Sequence, residues 1–451
     1  MIHCKSSLLL LAALCRLVIS APAASSSASI TESASASTVP SATDSASLAV
    51  TTVPFASTNP NEPLWNNDSP NSVPSPQRGT LGAPILGPDN VPIDLQNADL
   101  FAPPSTDNGN TGNAKWPFAM SHNRLQTGGW ARQENVQVMP MATEMASVNM
   151  RLEAGAIREL HWHKTSEWAY VLKGTTQVTA INTEGQNFIA NVGPGDLWFF
   201  PPGIPHSLQA TGDDPEGSEF LLIFDDGAFS EDDTFLLTDW LSHVPAEVIA
   251  KNFQVDNSEA FAHIPAKQLY IFPSTIPPDD QQAPISPQGT VPQSYAFSFS
   301  TVNATQLSGG SVKVVDSTNF PISTTISAAE VTIEPGAMSP QWHPTMDEWS
   351  FFIEGTGRMT LFASQSNART FNYQVSPFPR CRYVPASMGH YVENTGNTTL
   401  KYLEIFNSDR FEDISLNQWL ALTPPSLVKA HLNLDDETIA KLSKTKPLII
   451  G

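Results

Sequence analysis

Cysteine is nearly absent, with three in 451 residues. Two of them, Cys4 and Cys15, fall in a leader with Lys5, apolar runs at 8–14 and 17–19, and small residues at Ser20, Ala21 and Ala23. That pattern predicts a secretory signal peptide over residues 1–20, too short for a membrane anchor, and a secreted, extracellular protein. Cys381 is then the one cysteine left, which excludes an internal disulfide and leaves packed cores and bound metal to supply stability. No later apolar run is long enough to span a bilayer. Basic residues are also scarce, 23 Lys and Arg against 44 Asp and Glu, for a formal charge of -21 and a pI near 4.7. With no Lys/Arg cluster to offset that excess, nucleic acid and anionic membrane surfaces are excluded as partners. A small anionic substrate would need a cationic device inside its own pocket.

Large apolar residues are missing from much of the N-terminal part. Residues 21–80 are Ser, Ala, Thr and later Pro, a composition that cannot bury enough surface to order itself, so a disordered arm is expected. Residues 81–120 read as an extended arm laid over the folded part. Asn303-Ala304-Thr305 and Asn397-Thr398-Thr399 are N-glycosylation acceptors by pattern, and Asn67-Asp68-Ser69 is a weaker one because Pro70 follows.

Helical periodicity is sparse as well. From Trp116 onward, short runs rich in Val, Phe, Tyr and Trp (146–152, 167–172, 175–181, 197–200, 220–224) alternate with Gly, Pro, Asn and Asp turns, which predicts an all-β sandwich or barrel. Helices are expected only at 239–251, 415–420 and 427–432. The text then repeats: Trp162-His163 returns as Trp342-His343, Glu167-Trp168 as Glu348-Trp349, and Phe220 to Phe224 as Tyr402 to Phe406, with Trp240 answered by Trp419. So many matches in register imply two copies of one β domain.

Two blocks of the first copy carry chemistry. Gly155-x5-His161-Trp162-His163-x3-Glu167 is followed by Gly195-x5-Pro201-Pro202-Gly203-x2-His206. His161 and His163, two apart, share one face of a strand, Glu167 follows a short turn, and His206 arrives from a neighbouring strand. Three imidazoles and a carboxylate suit a divalent transition metal, and the spacing alone leaves manganese, zinc and iron open. A lone histidine is usually a surface or hydrogen-bonded core residue. Four ligand types framed by Gly and Pro turns reverse that expectation.

These blocks, in tandem, resemble the bicupins. The stretches Arg158-Glu159-Leu160-His161-Trp162-His163, Phe224-Asp225-Asp226-Gly227-Ala228-Phe229-Ser230-Glu231 and Ser415-Leu416-Asn417-Gln418-Trp419 resemble oxalate decarboxylases in particular, from about residue 121 to the C-terminus. The resemblance implies an all-β chain of two tandem cupin β-barrels with short helices at the domain ends: domain 1 over 121–260, a linker over 261–300 and domain 2 over 301–451. It implies manganese held by His161, His163, Glu167 and His206, dioxygen as co-catalyst, oxalate as substrate, and assembly into trimers or hexamers. Cleaving oxalate demands a redox metal, a cation for the bound carboxylate and an acid to deliver a proton. Arg158 suits the second role by its planar guanidinium, its alternative being a salt bridge to a surface acid. Glu231, in the lid-like Ser230-Glu231-Asp232-Asp233-Thr234, takes the third by resemblance, its alternatives being a solvated acidic loop or a helix-capping carboxylate. The family lid usually continues with Asn-Ser or Asn-Ala, so Asp232-Asp233 adds charge near the mouth.

The second copy departs from the pattern. It keeps His343, Glu348 and His390, but Gln341 stands at the first histidine position and the preceding arginine is gone. Glu404, which matches an acid near the second metal in the family, is expected to lack its arginine partner. A longer, basic stretch at 375–382 replaces a short Gly-Asp turn. Domain 2 therefore reads as a scaffold with a degenerate metal site. Two rival readings are an oxalate oxidase, which would release hydrogen peroxide, and a non-catalytic binding bicupin.

Overall fold

The computed structural model of the chain describes residues 103–374 and 380–451, apart from the side chains of Gln341 and Gln374. The expected leader, the 21–80 arm with Asn67, residues 81–102 and the 375–379 stretch lie outside the described residues. Within them the chain is all-β with short helices. Among the described residues, no helix is long and apolar enough to cross a membrane.

Each domain is an open, flattened barrel: two antiparallel sheets that face each other across a core and are not closed into one by hydrogen bonds. In domain 1, the larger sheet has Glu167–Lys173 hydrogen-bonded between Leu197–Phe200 and Ser218–Phe224, with Ala146–Leu152 next in line. The smaller sheet places His206–Ala210 between Ile157–Trp162 and Thr176–Ile181. Domain 2 repeats the plan, with Glu348–Glu354 between Arg380–Val384 and Leu400–Phe406, facing Met338–Trp342 beside Gly389–Asn394.

Strand Glu167–Lys173 is buried on both faces, which accounts for its nearly unbroken apolar text. Ala169 and Val171 pack inside the first barrel, whereas Trp168 and Tyr170 point into a separate core shared with domain 2. Trp349 and Phe351 enter that shared core from the other side, and Cys381 is sealed within it. Among the hydrogen bonds that cross this contact, Trp349 Nε1 donates to Glu134 Oε2 at 2.8 Å, and Tyr170 Oη donates to Glu330 Oε2 at 3.1 Å.

The flanking segments are exchanged between domains. Lys115–Pro117, from the N-terminal arm, adds a strand to domain 2 opposite Cys381. Ala296–Phe297, from the stretch expected to be a linker, adds one to domain 1 opposite Trp198. Ile271–Phe272 pairs with Ile157 and Arg158. Residues 261–300 are thus not a passive linker. They cover sheet edges whose amides and carbonyls would otherwise stand unpaired.

The helix expected over 239–251 is two helices, Leu237–Ser242 and Ala246–Phe253. Pro245 has no amide to donate and disfavours helical geometry at Val244, so the run breaks there. In domain 2 the helices are Leu416–Ala421 and Pro425–Leu432, and a further one, Asp436–Ala440, opens on an Asp435 cap.

Candidate metal centres and the lid acid

The two histidine-bearing strands of domain 1 are brought side by side by their register, with His206 opposite His161. His163 follows the end of the first strand and Glu167 opens the next. Gly155, at φ +81°, makes the turn into this strand, where a Cβ would meet the Ser274 carbonyl at 2.5 Å. The four side chains are buried, and their candidate ligand atoms lie within 4.8 Å of one another.

Each imidazole is oriented from behind. His161, His163 and His206 donate Nδ1–H to the carbonyls of Glu159, Thr165 and Ile204 at 2.6, 2.8 and 2.8 Å. That fixes the tautomer and leaves every Nε2 lone pair for the centre. His206 Nε2, buried, has no hydrogen-bond partner, the signature of an atom meant for a cation. Burial, then neighbouring Arg158 and His206, hold His161 well below the usual imidazole range, so it is a neutral donor. Burial pushes Glu167 up, but His206 and His163 beside it prevail and keep it ionised. Its other oxygen, Oε1, accepts the Trp198 indole N–H at 2.8 Å. These residues fit a divalent metal in charge, donor type and orientation.

Arg158 lies on the same strand as His161. It is buried, not spent on a surface acid: Nη2 sits 3.2 Å from Glu231 Oε2. Glu231 is 7 % exposed although it belongs to an acidic loop, and it also accepts the Tyr270 hydroxyl. Both Arg158 and Arg124 pack on the Tyr270 ring, 4.0 and 3.6 Å from its centre. The loop is held from several sides. Glu231 N–H donates to Gln133 Oε1 at 3.0 Å, Ser230 Oγ caps the Asp232 amide at 3.2 Å, and Arg124 Nη1 meets Asp232 Oδ1 at 3.2 Å. A cavity of about 870 Å³ reaches His163 and is bordered by Asp232, Asp233 and Thr234.

In domain 2, His343, Glu348 and His390 converge in the same way. Gln341 takes the ladder position of His161, opposite His390. His343 and His390 donate Nδ1–H to the Glu412 and Met388 carbonyls at 2.7 and 3.1 Å, and the Nε2 atoms and Glu348 Oε2 have no hydrogen-bond partner. The turn before His390 keeps its shape at Ser387, φ +66°, where domain 1 uses Gly203, φ +75°. The expectation that Glu404 lacks an arginine needs correction. Arg382 Nη2 lies 3.7 Å from Glu404 Oε1 and is paired with Glu348 Oε1. The arginine comes from strand Arg380–Val384, which neighbours the Glu348 strand, and not from the segment preceding the ligands, so no local motif announces it. Burial, then the Glu348 charge, push Glu404 up to about 7. Burial also raises Glu348, but Arg382 and His390 outweigh it and hold it well below the usual range.

Sequence reasoning missed Tyr270, Trp198, Arg124 and Arg382. Trp198 sits one strand over from Glu167, and Tyr270 and Arg124 come from segments outside the motif blocks.

Two copies of a β-barrel, each with a convergent His/Glu cluster on facing strands, define a bicupin. The cupin family model matches residues 119–260 and 298–440, and the chain belongs to that family, in its oxalate decarboxylase branch. It is 49% identical over 382 residues to oxalate decarboxylase OxdC of Bacillus subtilis (strain 168), covering 84% of this chain and 97% of that protein. A probable oxalate decarboxylase of Arthroderma benhamiae is 38% identical over 397 residues, covering 84% and 96%. The solved structure of the B. subtilis enzyme at pH 4.6 superposes with a TM-score of 0.78 at 49% identity, over 84% of this chain and 98% of that one. A structure of the same enzyme used to assign the EPR fine structure of its Mn(II) centers gives 0.78 at 48%, over 84% and 99%.

Proposed function

We propose that this protein decarboxylates oxalate to formate and CO2 in its first domain, with manganese held by His161, His163, Glu167 and His206 and dioxygen as co-catalyst. The observation that carries this reading is the inward, buried placement of Glu231 against Arg158, on the strand that carries His161. When bound, manganese supplies one-electron redox chemistry with dioxygen, through which oxalate loses CO2 far more easily than by heterolysis. Arg158 neutralises the substrate carboxylate and fixes its plane. Glu231 delivers the proton that the remaining one-carbon fragment needs to become formate, and Tyr270 with Arg158 keeps it turned inward. The balance is oxalate plus one proton giving formate and CO2, so no net oxidant is consumed. The lid acid favours this outcome over the oxidase reaction, in which the fragment is oxidised to a second CO2 and peroxide forms. The leader and acidic composition support a secreted, extracellular enzyme. Half-exposed Trp240 and Trp419 on the helical ends support a trimer or hexamer built through those faces.

The test is to supply the manganese-loaded protein with oxalate at mildly acidic pH under air and to quantify formate and peroxide together. Formate with little peroxide is expected. Dominant peroxide would make it an oxidase, and neither product with metal bound would make it a binding protein.

A further inference from the structure

The second cluster differs from the first in a way that the loss of a histidine ligand does not explain. At the ladder position where domain 1 has Trp198, opposite Ala169, domain 2 has Arg382, opposite Ser350. Across the next strand Ala169 faces Leu222, and Ser350 faces Glu404. Three apolar residues inside one barrel are therefore replaced, position for position, by three polar residues inside the other. They form one unit. Arg382 is fully buried, pairs through Nη2 with Glu348 Oε1, donates Nε–H to Ser350 Oγ at 2.9 Å and lies 3.7 Å from Glu404 Oε1, while Nη1 is 2.9 Å from Met359 Sδ. Ser350 Oγ also donates to Glu348 Oε1. A guanidinium in a barrel core is tolerated only when its charge and its N–H groups are met in this way.

We propose that Arg382 is a built-in counter-ion for Glu348, which makes the second cluster a low-affinity metal centre and lets domain 2 keep its fold without a metal ion. The outer oxygen of Glu167 accepts a neutral indole N–H, which orients the carboxylate and leaves its full charge for a cation. The outer oxygen of Glu348 meets a full positive charge instead. A divalent ion approaching His343, Glu348 and His390 then finds the one carboxylate ligand already neutralised and a like charge directly behind it. Glu404 shares the same guanidinium and so does not release Glu348 from it.

This inference rests on the reading of the two clusters as metal centres, and the experiment separates the two claims. The full mature chain is stripped with a chelator and titrated with Mn(II) alone, with bound metal per chain read by equilibrium dialysis and by EPR, and melting followed alongside. One tight ion and a second about 10- to 100-fold weaker are expected, the range over which partners of ligands alter metal affinity. Glu167→Gln should weaken the tight step and not the weak one. Arg382→Gln, which removes the charge and keeps an amide donor, should strengthen the weak step by about the same 10- to 100-fold factor and make melting depend on manganese. Arg382→Lys, which keeps the charge, should not. Gln341→His, with Arg382 in place, should still leave the second step weaker than the first, and this variant decides the matter even if Arg382→Gln does not fold. Two equal steps in the natural chain, or equality produced by Gln341→His alone, would overturn the counter-ion. Binding of manganese at neither cluster would overturn the metal-centre reading beneath it.

Discussion

The two domains present their carboxylate ligand to two imidazoles through the same oxygen and differ in what holds the other one. Behind Glu167 stands a neutral Trp198 N–H, and behind Glu348 stand Arg382 and Ser350. Domain 1 also has a second device, not found in this form among the described residues of domain 2: a loop acid turned inward onto a buried arginine and a tyrosine. A duplicated β domain can thus preserve most of a His/Glu cluster while the charges around it diverge. Counting ligands alone would rank the two sites too closely.

The largest effect that sharpens this contrast is expected from Glu231→Gln. It should lower formate production about 100- to 10,000-fold, the usual worth of a positioned general acid, without changing metal content. Glu404→Gln in the other domain should leave formate production near that of the natural chain. Unchanged formate in Glu231→Gln would remove its role as proton donor. Arg158→Lys should come next, because an ammonium cannot reproduce the fork: a loss of about 1.5–3 kcal/mol of charged hydrogen bonding is on the order of a ten- to hundredfold drop in kcat/KM for oxalate. Trp198→Phe, which removes only the N–H on Glu167, should weaken the first manganese step on the order of tenfold, read by titration.

A smaller effect on activity, but a clear one on stability, concerns Glu134 at the contact between the domains. It is fully buried, and burial pushes its carboxyl up to about 7, partly offset by hydrogen bonds from Trp349 and Ser147. The folded protein therefore binds this proton more tightly than the unfolded chain. Its contribution is complete below the ordinary carboxylate pKa and declines as pH rises toward 7, by on the order of 3 kcal/mol at most. Melting curves across that window should show the decline, and Glu134→Gln should flatten it. A melting temperature equally dependent on pH in Glu134→Gln would assign the dependence to other groups.

Much of this was legible in the text. The strands at 146–152 and 197–200 match the observed ones residue for residue, because their runs are bounded by clear turn signals. The residues of the two convergent His/Glu clusters were legible too, since side chains brought together for one site recur at particular spacings. What escaped reading depends on which strands become neighbours. Tyr270 reaches Glu231 only because residues 271–272 pair with Ile157 and Arg158, and nothing local in Gln268-Leu269-Tyr270 announces that. Arg382 read as part of a longer, basic stretch in place of a short turn, and register buries it. A signal was present: aligning the two copies strand by strand sets Ser350, Arg382 and Glu404 against Ala169, Trp198 and Leu222, and three polar residues at matching inward positions must satisfy one another. The break between Leu237–Ser242 and Ala246–Phe253 was legible in Pro245 and was passed over.

The most direct test of the division of labour between the domains compares His206→Ala with His390→Ala, each loaded with manganese and checked for metal content, by the formate each makes from oxalate. Loss of formate in His206→Ala with retention in His390→Ala is the expected result. Retention in His206→Ala with loss in His390→Ala would place the chemistry in domain 2 and contradict the assignment.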